Sequence, residues 1–353
     1  MRPPVIEEDL KNIVAALENG VAPLKGRQIF LTGGTGFLGK WLTDSFLYLN
    51  KAVGLEARLT ILSRDPRAFL ACHPWLKAEP SLAFVQGDIR DFVFPPGKHD
   101  FIVHGATAAS AKLEQERPEE MYSVITEGTR HLLEFTRHCA AERLLYISSG
   151  AVYGPQPPTL SQVPETYEGV PATAYGKGKR LSEQLCLDAA AGRFACVIAR
   201  PFAFVGPYLP LDAHFAIGNF IRDCLEHRTL AIQGDGTPLR SYQYAADMAV
   251  WLWTLLLRGE PARAYNVGSD DAISILDVAR LVRACAGTRN DIVVHGKRAE
   301  GALPVRYVPS VDRAREELAL GQHQSLADAI CRTITWHCQS RARCSGLDST
   351  PKS

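Results

Sequence analysis

Three side chains offer the clearest chemistry in this sequence. Tyr175 and Lys179 are four residues apart in Tyr175-Gly-Lys-Gly-Lys179, which puts them on one face of a helix. A lysine there favours the phenolate by opposite charge and can also hold a ribose hydroxyl, which makes Tyr175 a proton shuttle for an alcohol losing hydride. Lys177, two residues from Tyr175, faces elsewhere. Ser149 ends the apolar run RLLYISS, where its hydroxyl can hydrogen-bond the same substrate oxygen. Together the three form a Ser-Tyr-Lys set for removing a hydroxyl proton.

A second constellation lies upstream, in Thr-Gly-Gly-Thr-Gly-Phe-Leu-Gly after the run QIFL. Gly33, Gly36 and Gly39 allow a tight turn, close approach of backbone N–H groups to a pyrophosphate, and close packing of strand on helix. Thr35, Phe37 and Leu38 within the loop, and Ala106 after a later strand, complete the expected cradle. The second strand ends Ile61-Leu62-Ser63-Arg64, so Ser63 stands where such folds often place a carboxylate for the adenosine 2′-hydroxyl. Arg64 could instead meet a 2′-phosphate. The expected coenzyme is therefore NAD or NADP, with the balance toward NADP. Asp88 and Ile89, after the third strand, are placed to flank the adenine, and Asp88 could equally serve a turn.

The elements that position these residues follow from hydrophobic period. Apolar runs at 58–64, 82–88, 100–107, 143–149 and 195–202 alternate with helical stretches such as 121–139 and 176–191. Continuous apolar strands between helices indicate an α/β fold, a Rossmann-type doubly wound parallel sheet covered on both faces. Residues 1–24 read as an N-terminal helical appendage, with Ile6, Leu10, Ile13, Val14 and Leu17 on one stripe, and 25–200 as the dinucleotide-binding domain. Segments near 240–268 are expected to return to that domain, while 201–337 form mainly a smaller C-terminal α/β substrate lobe. Residues 338–353 lack periodicity and are expected to be a disordered tail.

In this order, TGGTGFLG, GDIRD, SSGAVYG, YGKGK, RPFAFVGPY, GDGTPLRSYQY, YNVGS and RYVPSVDRAREEL resemble the extended short-chain dehydrogenases/reductases of the NAD-dependent epimerase/dehydratase family, over residues 27–335. The resemblance implies a nucleotide-diphosphate sugar as substrate, with Arg240 gripping its diphosphate, Arg306 as a second such arginine, and Asn219 as a substrate contact. It also implies a homodimer through a four-helix contact of 121–139 and 176–191. Leu132, Leu133, Phe135, Leu181 and Leu185 could face the partner or only the sheet.

The departures from the family bear on the reaction. Its 4,6-dehydratases carry Asp-Glu directly after the catalytic hydroxyl, and this chain has Gly150-Ala151. The segments HGATAAS and RSYQY resemble UDP-glucuronate decarboxylases, whose glutamate in this stretch is again Ala151. Ala203 and Ile125 replace two asparagines. The expected activity is therefore hydride exchange at sugar C4, as a 4-epimerase or 4-ketoreductase. The alternative is a 4,6-dehydratase or decarboxylase drawing an acid or base from His104, His214 or Lys112. A non-catalytic coenzyme-binding scaffold is the reading from another class, and the intact triad counts against it.

Composition narrows the field further. With 39 Lys plus Arg against 38 Asp plus Glu, the chain has no electrostatic footprint for nucleic acid or an anionic membrane. Nine cysteines without a CxxC pair argue against a disulfide framework and a metal site. The longest apolar run, Met248 to Leu257, is too short to span a bilayer, and a soluble cytoplasmic protein is expected.

Overall fold

The computed structural model describes residues 4–107, 111–213, 215–298 and 300–347. Among them a seven-stranded sheet holds the centre. Its strands are β1 (Gln28–Thr32), β2 (Arg58–Ser63), β3 (Leu82–Gln86), β4 (Phe101–His104), β5 (Arg143–Ile147), β6 (Ala195–Pro201) and, from much later in the chain, β11 (Arg263–Val267). The order is β11-β6-β5-β4-β1-β2-β3, and every pairing is parallel, for example Leu31 with Ile61 and Val103. Strand order reverses between β1 and β4, the topological switch point where open α/β sheets bind ligands beyond their carboxyl ends.

Alternation along each strand feeds two cores. Leu31, Ile61, Val103, Leu145 and Val197 face one side, where α2 (Phe37–Val53) and α8 (Ala245–Arg258) pack. Phe30, Ile102, Leu144 and Ile198 face the other, against α5 (Pro118–His138) and α6 (Ala174–Ala190). Both faces are covered, which explains why these strands read as unbroken apolar runs. No helix among the described residues is long and apolar enough to cross a membrane.

The first helix, α1 (Pro4–Leu17), is not the appendage the sequence suggests. Ile6, Leu10 and Ile13 are fully buried, and α1 packs on α8 and α2. Burying each such side chain contributes roughly 1.5–3 kcal/mol. Asp9 on the same face accepts hydrogen bonds from the Tyr244 hydroxyl (2.5 Å) and Arg332 Nη2 (2.7 Å), so α1 is tied to residues more than 230 positions away.

The later chain supplies small elements around the sheet's carboxyl edge. Short helices α3 (Pro66–Cys72) and α4 (Ala111–Glu116) precede α5, and β7 (Phe204–Val205) and α7 (Ala216–Leu225) follow β6. Next come β8 (Leu230–Ile232), β9 (Leu239–Arg240), β10 (Gln243–Tyr244), β12 (Ile273–Ser274), α9 (Ile275–Ala286), β13 (Ile292–Val294) and β14 (Arg306–Tyr307). A three-stranded sheet, β12-β9-β14, brings Arg240 and Tyr307 into register.

After α10 (Asp312–Leu318), the last helix, α11 (Leu326–Leu347), corrects the expected disordered tail over 338–347; residues 348–353 lie outside the described residues. Ile330, Thr333 and Ile334 anchor its first half in the core, and Arg341 reaches Glu226 at 3.0 Å, so the helix continues past the point where the apolar pattern fades.

A buried ion pair fixes α6 against the sheet. Arg200 on β6 donates from Nη2 (2.7 Å) and Nε (3.0 Å) to the two carboxylate oxygens of Glu183 on α6. Ser148 donates to the same carboxylate at 2.5 Å, and Arg200 Nη1 donates to the Tyr153 hydroxyl at 2.9 Å. Glu183→Gln keeps the shape but leaves the guanidinium buried without its counter-charge. The expected loss is about 3–5 kcal/mol of stability by urea unfolding, and a loss under about 1 kcal/mol would show that the pair is dispensable.

Candidate active site

The glycine loop sits at the switch point and leaves no room for a side chain at Gly33 or Gly39. Gly33 has φ +78°, and a β-carbon on it would lie 2.6 Å from the Gly105 carbonyl carbon, so the loops after β1 and β4 touch there. A β-carbon on Gly39 would come within 2.1 Å of the Gly33 oxygen, which holds α2 hard against its own loop. Thr32 Oγ1 accepts from the Gly105 and Ala106 N–H groups (3.2 and 3.0 Å) and fixes Ala106 at the mouth. The start of α2, after Gly36 at its N-cap, has no side-chain cap, so the N–H groups of Phe37, Leu38 and Gly39 are left for a ligand. Thr35 is half-buried beside them. This cradle fits a pyrophosphate by its donors and by helix polarity.

At the adenosine end, Ser63 is buried at the tip of β2 and Arg64 is exposed just beyond it. Asp88 accepts from Arg90 Nε (2.8 Å) and from the Arg90 N–H (3.1 Å), the turn arrangement. Ile89 is buried against Gly128 of α5, where a β-carbon would lie 2.7 Å from its methyl group.

Tyr175 lies in the first turn of α6. Thr173 caps that helix by accepting from the Gly176 N–H (3.0 Å), and the Glu114 carboxylate of α4 accepts from the Ala174 and Tyr175 N–H groups (2.7 and 3.0 Å). Two further glycines let α6 approach closely: a β-carbon on Gly176 would lie 2.6 Å from the Ala151 oxygen, and one on Gly178 would lie 3.3 Å from Ile125. Ile125, in place of an asparagine, thus packs on a glycine of the helix that carries Tyr175 and Lys179.

Ser149 follows β5, and its Oγ accepts from the Ala151 N–H at 3.1 Å. Burial pushes the Tyr175 phenol above its usual range, and the nearby Ser149 hydroxyl opposes this by favouring the ionised form. Lys179 is 2 % exposed, donates to the Ile147 carbonyl (2.8 Å), and lies 5.8 Å from the Tyr175 ring centroid and 5.1 Å from that of Tyr146. Burial lowers its pKa to about 7, against the charge of Glu183. The expected lowering of the Tyr175 pKa by Lys179 is not seen; burial disfavours the charged form of each group.

Two of the alternative proton donors are engaged in other contacts. His104 is buried between Thr32 Oγ1 (2.9 Å from Nδ1) and Thr129 Oγ1 (3.0 Å from Nε2). Thr129 gives its proton to the Ile125 carbonyl, so Nε2 is the protonated nitrogen and Nδ1 accepts from Thr32. Burial and the nearby Lys179 bring its pKa down to about 3, leaving a neutral structural link between β1, β4 and α5. Lys112 is an exposed partner of Glu116, and His214 lies outside the described residues.

Among the residues expected to hold substrate, Arg240 is half-buried on β9, pairs with no carboxylate among the described residues, and has its guanidinium carbon 6.0 Å from the Tyr307 ring. Arg306 precedes Tyr307 on β14; since side chains alternate along a strand, it points to the opposite face of the small sheet. Asn219 on α7 is turned toward its own loop; with its amide oxygen and nitrogen exchanged, the orientation that its neighbours favour, the nitrogen donates to the Ala213 and Leu211 carbonyls at 2.9 and 3.2 Å. Ala203 uses its carbonyl to accept from the Gln243 N–H at 3.0 Å. Sequence reasoning missed Glu114, Glu183 and Tyr307. Only Glu183 carried a signal, one helical turn beyond Lys179 on the same face.

Fold and site define a dinucleotide-binding enzyme of the α/β class with a Ser, Tyr and Lys cluster at the sheet's carboxyl edge. Residues 29–268 match the model of the NAD dependent epimerase/dehydratase family, and the chain belongs to that family. It is similar to a UDP-glucuronic acid decarboxylase of Arabidopsis thaliana, 27% identical over 325 residues that cover 88% of this chain and 70% of the relative. Its fold matches the UDP-glucose 4-epimerase of Thermotoga maritima with a TM-score of 0.75 at 19% identity, over 89% of this chain and 99% of that one. It also matches the dTDP-glucose 4,6-dehydratase of Bacillus anthracis, solved with NAD, with a TM-score of 0.74 at 18% identity over 90% and 98%.

The low pKa of Lys179 has a consequence for stability. Between pH 7 and the unfolded value of 10.5, the unfolded chain holds a proton that the folded chain has released, so this group's contribution to unfolding free energy rises with pH. Below pH 7 both states are protonated and the burial cost stands in full. Lys179→Met removes this dependence. Its urea midpoint relative to the native chain is expected to be highest near pH 7 and to fall steadily toward pH 9.5; a difference that stays level would show that Lys179 is not desolvated as described.

Proposed function

We propose that this enzyme transfers hydride at C4 of a nucleotide-diphosphate sugar, either oxidising and re-reducing that carbon as a 4-epimerase or reducing a 4-keto sugar with external NADPH as a 4-ketoreductase. The observation that carries the reading is the convergence of Ser149, Tyr175 and Lys179 beside a position, Gly150-Ala151, that offers no further acid or base. NAD(P), held by Gly33 to Gly39 and by Ala106, supplies hydride acceptance and return at the sugar carbon. Tyr175 takes the hydroxyl proton, and Ser149 hydrogen-bonds the same oxygen. Lys179 holds the nicotinamide ribose and, with that polar partner, regains charge next to the phenol. Arg240, free of a carboxylate, grips the diphosphate with its planar fork.

Decarboxylation is the second reading, favoured by the likeness to a UDP-glucuronic acid decarboxylase over 88% of this chain. Oxidation at C4 puts a C6 carboxylate β to the new ketone, so carbon dioxide can leave without a glutamate at position 151. Incubation with UDP-, dTDP-, GDP- and CDP-hexoses and with UDP-glucuronate, followed by NMR, separates the readings. The expected product keeps all its carbons and its C6 hydroxyl. A pentose with carbon dioxide would establish the second reading, and a 6-deoxy-4-keto sugar would overturn both. Tyr175→Phe is expected to cut turnover by about 10²–10⁴ while leaving coenzyme binding intact.

NADP as preferred coenzyme rests on Ser63 in place of a carboxylate and on the exposed Arg64. A homodimer rests on the half-exposed Leu181 and Leu185 of α6; Leu132, Leu133 and Phe135 of α5 are buried within the protomer and do not contribute. A cytoplasmic location rests on the free state of the described cysteines. Native mass spectrometry tests the first two together: the expected species is a dimer carrying NADP, with the coenzyme preference lost in Arg64→Ala. A monomer, or NAD retained equally by both proteins, would overturn the corresponding part.

A further inference from the structure

Two thiols meet where α9 packs on α11, and neither takes part in the chemistry above. Cys285, near the end of α9, donates from Sγ to the Ala327 carbonyl of α11 at 3.4 Å. Cys331 is four residues beyond Ala327, so its side chain stands over that same carbonyl. The helix itself shows this reach: Thr333 and Thr335 place their Oγ1 atoms 2.6 and 2.8 Å from the Ala329 and Cys331 carbonyls, each four residues back. A sulfur at position 331 in that rotamer lies at the Ala327 oxygen, where the Cys285 sulfur already is.

Both thiols are free, Cys331 exposed and Cys285 half-buried, so a small oxidant reaches the first and the second is poised behind it. We propose that Cys285 and Cys331 are a reversible disulfide-forming site whose oxidant is a low-molecular-weight disulfide. The Cys331 thiolate attacks one sulfur of the oxidant, forming a mixed disulfide and expelling one thiolate. Cys285 then loses its proton to solvent and attacks the Cys331 sulfur, which closes the S–S bond and expels the second thiolate. The two cysteines lose two electrons together, and the oxidant leaves as two thiols. Burial and the neighbouring Cys331 both push the Cys285 thiol up, which agrees with the exposed residue reacting first. A resting state with both thiols reduced suits a redox-sensing pair.

Other described cysteines do not offer this pairing. Cys338 is seven residues along α11 from Cys331, about 10 Å by helical rise, and a disulfide spans at most about 7 Å between Cα atoms. Cys186 and Cys196 are buried away from any oxidant, while Cys72 is exposed on the distant α3. The bond has a mechanical consequence. α9 follows directly from β12, whose Ile273 pairs with Arg240 on β9. Arg332, the neighbour of Cys331, holds Asp9 of α1 at 2.7 Å. The crosslink therefore staples the small sheet that carries Arg240 to the helices packed around α1, whatever reaction Tyr175 serves.

The test uses the full, reduced chain. It is incubated with glutathione disulfide, the remaining thiols are alkylated, and the tryptic peptides are mapped by mass spectrometry. The expected product is the Cys285 peptide joined to the Cys331 peptide, lighter by two hydrogens than the two apart and separated again by dithiothreitol. Cys72 and Cys338 are expected to carry glutathione or the alkyl group and to join nothing. A lasting glutathione adduct on Cys331 beside an alkylated Cys285, or alkylation of both, would overturn the pairing. Cys331→Ser changes an exposed position and is expected to leave Cys285 alkylated. Closing the loop between 285 and 331 restricts the unfolded chain, so the oxidised native protein is expected to melt roughly 3–8 °C above the reduced one. Cys331→Ser is expected to melt at one temperature with or without oxidant. Equal melting of the oxidised and reduced native chain would overturn the staple.

Discussion

The site depends on the buried pair of Arg200 and Glu183. Glu183 follows Lys179 by one turn and Tyr175 by two, so the face of α6 that carries the phenol and the amine is the face clamped to β6. The carboxylate also takes the Ser148 proton, which fixes the residue before Ser149. Arg200 continues through the Tyr153 hydroxyl to Asn266 on β11, whose amide donates to the Val163 and Ser310 carbonyls. One fully satisfied polar network therefore holds the β5 tip, α6 and the approach to the late strands in a single arrangement. Such networks cost desolvation and give back a defined geometry when every member is paired.

At the other side of the switch point, definition comes from close approach rather than from charge. Gly33 and Gly39 bring β1, α2 and the β4 loop into backbone contact, and His104 with its two threonines bridges β1 to α5 behind them. The first turn of α2 keeps its N–H groups uncapped where phosphate is expected, while α6, which presents the phenol, is capped by both Thr173 and Glu114. The contrast is physical: a helix start meant for a ligand leaves its donors open, and one meant to hold a side chain still closes them.

The late three-stranded sheet changes what the site can do. The register pairs Tyr307 with Arg240, and the Tyr307 hydroxyl lies beside Gly150. Gly150, which seemed only to delete an acid, makes room for a hydroxyl delivered from β14. A missing side chain at one position is thus filled by another from more than 150 residues away.

How much was legible in the sequence follows from the range of each interaction. The strand and helix order, the glycine loop, and the shared face of Tyr175 and Lys179 are local patterns, fixed by backbone period and by the steric freedom of glycine, and they could be read directly. The burial of α1, the helical course of 338–347, the depressed Lys179 pKa, the engagement of His104 and the pairing of Arg240 with Tyr307 could not. Each depends on what packs against the residue in space, since burial sets the ionisation cost and strand register sets the facing side. Sequence determined which groups could do chemistry; only the tertiary structure decided which of them meet, and in Tyr307 it brought one to Gly150 that no local pattern marks.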